Sequence, residues 1–116
     1  MGTFEYPITL TGPRGSVTLE AMIDTGATFS SFPASVLERL GVVPTRNVRL
    51  RLANGVVEDR PLGDVDATID GVESQILCLF GPPGAPPLIG AHALEAFLLM
   101  VDPVQKRLVP AEGFLL

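Results

Sequence analysis

The chain has 116 residues, 47% hydrophobic and 18% charged, with a formal net charge of −5. That profile predicts one globular domain spanning residues 1–116, able to bury roughly two thirds of the surface its unfolded form exposes, and it excludes a disordered chain. The eight Lys and Arg form no long basic run, which disfavours nucleic-acid binding, while one Cys and one His are too few for an internal disulfide or an ordinary zinc site.

Targeting signals are not expected either. Met1 to Glu5 has no basic end and no apolar stretch, and Tyr6 stands where a myristoylation motif wants Ser or Thr. No apolar run reaches membrane-spanning length. The expectation is a soluble, cytoplasmic protein without a membrane partner.

Twelve Gly and eleven Pro punctuate the chain into short segments, which predicts an all-β domain. Tyr6 to Leu10 reads as a strand and Gly12-Pro13-Arg14-Gly15 as a turn. Val17, Leu19, Ala21 and Ile23 alternate with Ser16, Thr18 and Glu20, giving a half-buried strand that runs straight into Asp24. Pro33 to Leu40 reads as a helix stopped by Gly41. Val48, Leu50 and Leu52 alternate with Arg49 and Arg51, the solvated face of the next strand. Asn54-Gly55 then predicts a hairpin turn, with Val56 to Arg60 as the return. A second hairpin, Asp64 to Ile69 and Val72 to Phe80, turns at Asp70-Gly71. A Pro/Gly loop over Gly81 to Pro87 leads to the short strand Leu88-Ile89-Gly90. A helix over Ala91 to Phe97 follows, and the strands Leu98 to Val101 and Arg107 to Val109 flank an Asp102-Pro103 turn.

The chemistry concentrates at Ile23-Asp24-Thr25-Gly26-Ala27-Thr28. A carboxylate at the end of an apolar strand is partly desolvated. Gly26 permits a sharp turn and a close approach by another group. Thr25 supplies a hydroxyl that can tie the loop to its surroundings. On the tripeptide alone, Asp24 can equally be a turn aspartate that ends a strand.

The order of parts narrows the choice. An apolar strand ending in Asp-Thr-Gly-Ala, a hairpin, a second hairpin, two apolar residues with Gly, then a short helix resemble the retropepsin-like aspartic proteases, retroviral and single-domain bacterial. The resemblance covers nearly the whole chain. It implies an all-β, closed acid-protease barrel with a flap hairpin and one or two short helices. It implies a peptide hydrolase that needs no cofactor and no metal, with Asp24 as the catalytic residue. Thr25, Gly26, Leu88, Ile89 and Gly90 would support the active-site loop. Ala27 and Thr28, with Ala53, Asn54 and Gly55 at the tip of a flap over Val48 to Arg60, would meet an extended peptide substrate.

Only one Asp-Thr-Gly is present, so the resemblance also implies a homodimer in which a second Asp24 completes the catalytic pair. Retroviral members carry an acid where this chain has Thr28 and an Arg where it has Ala91, an ion pair near the dimer contact. Both partners are replaced here, so no charge is left unpaired.

Other features have plainer readings. His92 is a surface or interface residue, Cys78 a buried small hydrophobe, and Pro83-Gly84-Ala85-Pro86 a rigid connection. Two rival functions stand beside the enzyme. One is a retropepsin-like dimerisation or peptide-binding module without catalysis. The other is a phosphate loop, since the stretch from Ile23 to Thr28 faintly resembles the Asp-x-Gly-Thr turn of actin-like ATPases.

Overall fold

Alternating apolar and polar residues build the first hairpin. In the computed structural model, which describes residues 4–112, β1 (Glu5–Gly12) turns through Pro13-Arg14 into β2 (Gly15–Ile23). Ile8, Leu10, Ala21 and Ile23 face inward and are buried. After the loop from Asp24 to Phe29 comes β3 (Ser30–Pro33), a strand not anticipated from the sequence. Four residues ending in proline are too short to display a period.

α1 (Ala34–Leu40) turns Leu37 and Leu40 inward. Gly41 ends it at φ 84°, and the Gly41 and Val42 N–H groups close the last turn onto Glu38 and Leu37. A left-handed residue is needed there, which is why glycine follows the helix.

β4 (Arg46–Arg51) and β5 (Val57–Ile69) form the next hairpin. Its connection differs from the two-residue turn expected at Asn54-Gly55. The Gly55 N–H donates to Leu52 O and the Leu52 N–H to Val56 O, leaving a three-residue loop, Ala53 to Gly55. Only Gly55 takes positive φ (87°), while Asn54 Oδ1 accepts the Val56 N–H at 3.0 Å. β5 also merges what the sequence suggested were two strands, Val56 to Arg60 and Asp64 to Ile69. Pro61-Leu62-Gly63 looks like a break but is not one. The pairing of β5 with β6 (Val72–Gly81) begins at Leu62, so the missing N–H of Pro61 falls just beyond that ladder.

β5 and β6 turn through Asp70 and Gly71, both at positive φ. β7 (Leu88–Ile89), α2 (Ala91–Ala96), β8 (Leu99–Asp102) and β9 (Arg107–Pro110) complete the described chain. The helix expected to reach Phe97 stops at Ala96, with Phe97 as its C-cap. Among the described residues no helix is long and apolar enough to cross a membrane.

The main sheet runs β1-β2-β7-β3-β6-β5-β4, and β1 also pairs with β5 across Thr9–Thr11 and Asp66–Thr68. Six strands therefore close into a ring, and β4 hangs outside it as an edge. The expected barrel is met as a mixed sheet ring rather than a regular barrel, because one link is the two-residue β7 and another a contact of three residue pairs. Ile8, Leu10, Phe32, Leu37, Ile76, Cys78 and Ile89 fill its interior, all fully or almost fully buried.

Cys78 lies within this core, and burial together with the charge of Asp64 pushes its thiol up to about 12. At pH 8 the thiolate that reacts with disulfide reagents is then scarce and sheltered. We expect Cys78 to react with a chromogenic disulfide only as fast as the protein unfolds. Prompt labelling of the native protein would contradict the packing described.

Candidate active site

The loop carrying Asp24 is tied down by main-chain bonds to β7 and α2. The Asp24 N–H donates to Ile89 O at 3.0 Å, continuing the parallel pairing of β2 with β7. Ala91 and His92, the first residues of α2, donate to Ala27 O at 2.7 Å and Thr28 O at 3.0 Å. N–H groups at the start of a helix have no partner within it, so the loop carbonyls satisfy them.

Gly90 sits where these elements meet. A Cβ there would lie 2.6 Å from Phe29 O and 2.8 Å from Ala27 O. Its own N–H donates to Ser30 Oγ at 3.1 Å, and Ser30 is fully buried. Ser30 escaped the sequence analysis. A serine immediately after the loop looks like any turn residue, and nothing local says that Gly90, sixty positions on, will need an acceptor. Ser30→Ala leaves that buried N–H unpaired and should cost about 1–3 kcal/mol in urea unfolding. A loss of only a few tenths would show that the bond carries no weight.

At the start of the loop, Asp24 is half-buried and its Oδ1 accepts the Gly26 N–H at 2.9 Å. The Asp24 carbonyl accepts the Ala27 N–H at 3.2 Å. The carboxylate is thus held by its own loop, a local arrangement that Asp favours in turns. Thr25 is exposed, and among the described residues its hydroxyl makes no hydrogen bond within the chain; within one chain the loop is held by its main-chain bonds and by the Gly90–Ser30 contact.

Two hollows flank the loop. One, of about 400 Å³, lies between Gly26–Phe29 and the strand residues Arg49–Leu52, with Leu79 also lining it. The other, of about 310 Å³, lies between Thr25–Thr28 and α2, bounded by Ala91, His92 and Glu95. The fold brings Asp24, Thr25, Gly26, Ala27 and Thr28 into one loop and binds Ile89 and Gly90 to it. Leu88 continues the same short strand, paired with Met22 and Ser31. Ala53, Asn54 and Gly55 are exposed at the end of the β4–β5 hairpin and line neither hollow in a single chain.

The other acids with side-chain partners are engaged elsewhere. Asp70 accepts the Tyr6 hydroxyl at 2.7 Å. Asp102 accepts the Gln105 and Val104 N–H groups and pairs with Arg107, which together hold its carboxyl below the usual carboxylate range. Among the described residues no group of three or more acids, His or Cys is arranged to hold a metal ion. The loop leads into strand β3 and not into a helix, which removes the geometric basis of the phosphate-loop reading.

Residues 7–90 match the sequence model of a family described as aspartyl protease. The chain belongs to that family. Its solved structural relatives place this aspartyl protease family member among the retropepsin-like folds. The simian foamy virus protease superposes with a TM-score of 0.59 at 18% identity, covering 78% of this chain and 91% of that one. The retroviral protease-like domain of Ddi1 from Leishmania major gives 0.60 at 18% identity, covering 95% and 89%. A retropepsin-like aspartic protease from Rickettsia conorii gives 0.53 at 21%, covering 87% and 86%. At such identities the likeness speaks for the fold. No curated relative matches the sequence.

Proposed function

We propose that residues 1–116 form one catalytic domain, an aspartic endopeptidase that works as a homodimer. The observation that carries this reading is the half-buried Asp24 carboxylate, fixed by the Gly26 N–H on a loop that is anchored at Gly90 and whose following residues, Gly26–Phe29, line a hollow beside the β4–β5 hairpin. A single carboxylate cannot both activate water and donate a proton to the scissile carbonyl. The second comes from Asp24 of another copy, since the sequence holds a single Asp-Thr-Gly and a two-fold pair sets that loop opposite its own copy. The exposed Thr25 and the hollow beside Ala91, His92 and Glu95 leave that side of the loop free for the partner.

Two carboxylates held together share one proton. The ionised one draws a proton from water, which attacks the peptide carbonyl. The protonated one donates a hydrogen bond to the carbonyl oxygen as charge builds there. The leaving nitrogen then takes a proton, and the pair titrates as a unit. The β4–β5 hairpin acts as the flap. Its free β4 edge pairs with an extended peptide, and closure excludes water. Ala27, Thr28 and the tip at Ala53, Asn54 and Gly55 meet that peptide once the dimer forms.

The test is cleavage of a decapeptide library at about pH 4 to 6, where such a pair carries one proton, with sedimentation at several concentrations. Cleavage that tracks the dimer fraction supports the reading. A chain that stays monomeric at high concentration and cleaves nothing sinks it.

A further inference from the structure

Within the hollow beside the Asp24 loop, Leu50, Leu52, Leu79 and Phe29 are apolar, and among the described residues Arg49 and Arg51 are its only charged lining. Both arginines are exposed. Among the described residues the ion pairs are Arg60 with Glu58 and Arg107 with Asp102, so neither cleft arginine is in one. Asp59 is the register partner of Arg49 across the hairpin, yet it does not come within ion-pair distance. Two cations thus flank a cleft with no carboxylate in its lining, on a chain whose net charge is −5.

The ladder shows how they are presented. The Leu52 N–H donates to Val56 O, so by the alternation of an antiparallel pair Leu50 and Val48 also turn their main-chain groups toward β5. Arg49 and Arg51 turn theirs to the outer edge of β4, which has no neighbouring strand among the described residues. A peptide added there meets both arginines twice, through main-chain bonds and through side chains on the shared face.

We propose that Arg49 and Arg51 make this a site for acidic peptides, selecting Asp or Glu at the substrate positions that face β4. This rests on the peptide-binding role assigned to the hollow and adds the substrate class. Guanidinium groups bind carboxylates through short, paired, charge-assisted hydrogen bonds, and a Gln or Ala in the peptide forfeits them.

Two readouts test it. In a decapeptide library, cleavage by the full chain should favour Glu over Lys by about tenfold or more at one or two positions, and Arg49→Glu/Arg51→Glu should invert that ratio. Binding of a fluorescent peptide to Asp24→Asn, with Glu, Gln or Lys at the selected position, should follow the same order, and adding Arg49→Gln/Arg51→Gln should erase it. Equal binding and equal cleavage of the Glu and Lys peptides would overturn the proposal while leaving the peptidase standing. Glu-selective binding without any Asp24-dependent cleavage would do the reverse.

Discussion

Replacing Asp24 with Asn is expected to lower kcat/KM for peptide cleavage by about 10³-fold or more, since the exchange removes a general base and its proton-donating twin at once. The substitution is nearly isosteric. The side-chain oxygen of Asn can still accept the Gly26 N–H that Asp24 Oδ1 accepts now at 2.9 Å. The fold should therefore survive, with a melting temperature within about 2 °C of the parent. Mixing the variant with an equal amount of wild-type chain separates a shared site from a self-sufficient one. If chains reassort freely, half of the wild-type chains are drawn into mixed pairs, and total activity falls to about half. Unchanged activity on mixing would mean that each chain cleaves alone. Full activity of the variant itself would remove Asp24 from the chemistry. A wild-type chain that binds extended peptides but never cleaves them would leave the non-catalytic module as the function.

The second large effect is structural. Gly90→Ala is expected to destabilise the protein by about 2–4 kcal/mol, lowering the melting temperature by about 10 °C. The new methyl would meet Phe29 O at 2.6 Å, Phe29 C at 2.7 Å and Ala27 O at 2.8 Å. All three are backbone atoms, so no side-chain rotation relieves the contact. The loop must move away from α2, which breaks the Ala91 and His92 bonds to Ala27 and Thr28 and shifts the Asp24 carboxylate. Activity should fall even at temperatures where the variant is folded. Gly84→Ala is the control: φ is 83° and nothing lies within 4 Å of a Cβ there. It should lose only about 1 kcal/mol, for the left-handed backbone. Equal losses at the two positions would show that close packing at Gly90 does not hold the loop.

Much of the site was legible from local pattern. Alternation in Val17 to Ile23 points at Asp24, and Gly26 follows at the spacing a tight turn requires. Leu88-Ile89-Gly90 was identified through its place in an ordered series of parts. Its physical role, a close approach to Phe29 and Ala27, became visible only when the chain folded. Ser30 and β3 were missed for one reason. Their significance lies in partners 48 to 60 residues away, and a four-residue strand carries no period of its own.

By itself the sequence determined the hairpins, the helix stop at Gly41, the apolar strand into Asp24 and the lack of a second Asp-Thr-Gly. These depend on side-chain alternation and on backbone freedom within a few residues, which the local order of the chain encodes. The tertiary structure decided which groups anchor the loop, that β5 runs unbroken past Pro61, and that β4 lies outside the ring with one edge unpaired. It also placed Arg49 and Arg51, which alternate like any solvated strand face, at the margin of the hollow beside the Asp24 loop. Whether such a face meets bulk water or a cleft depends on what the rest of the chain places opposite it, and no local pattern contains that information.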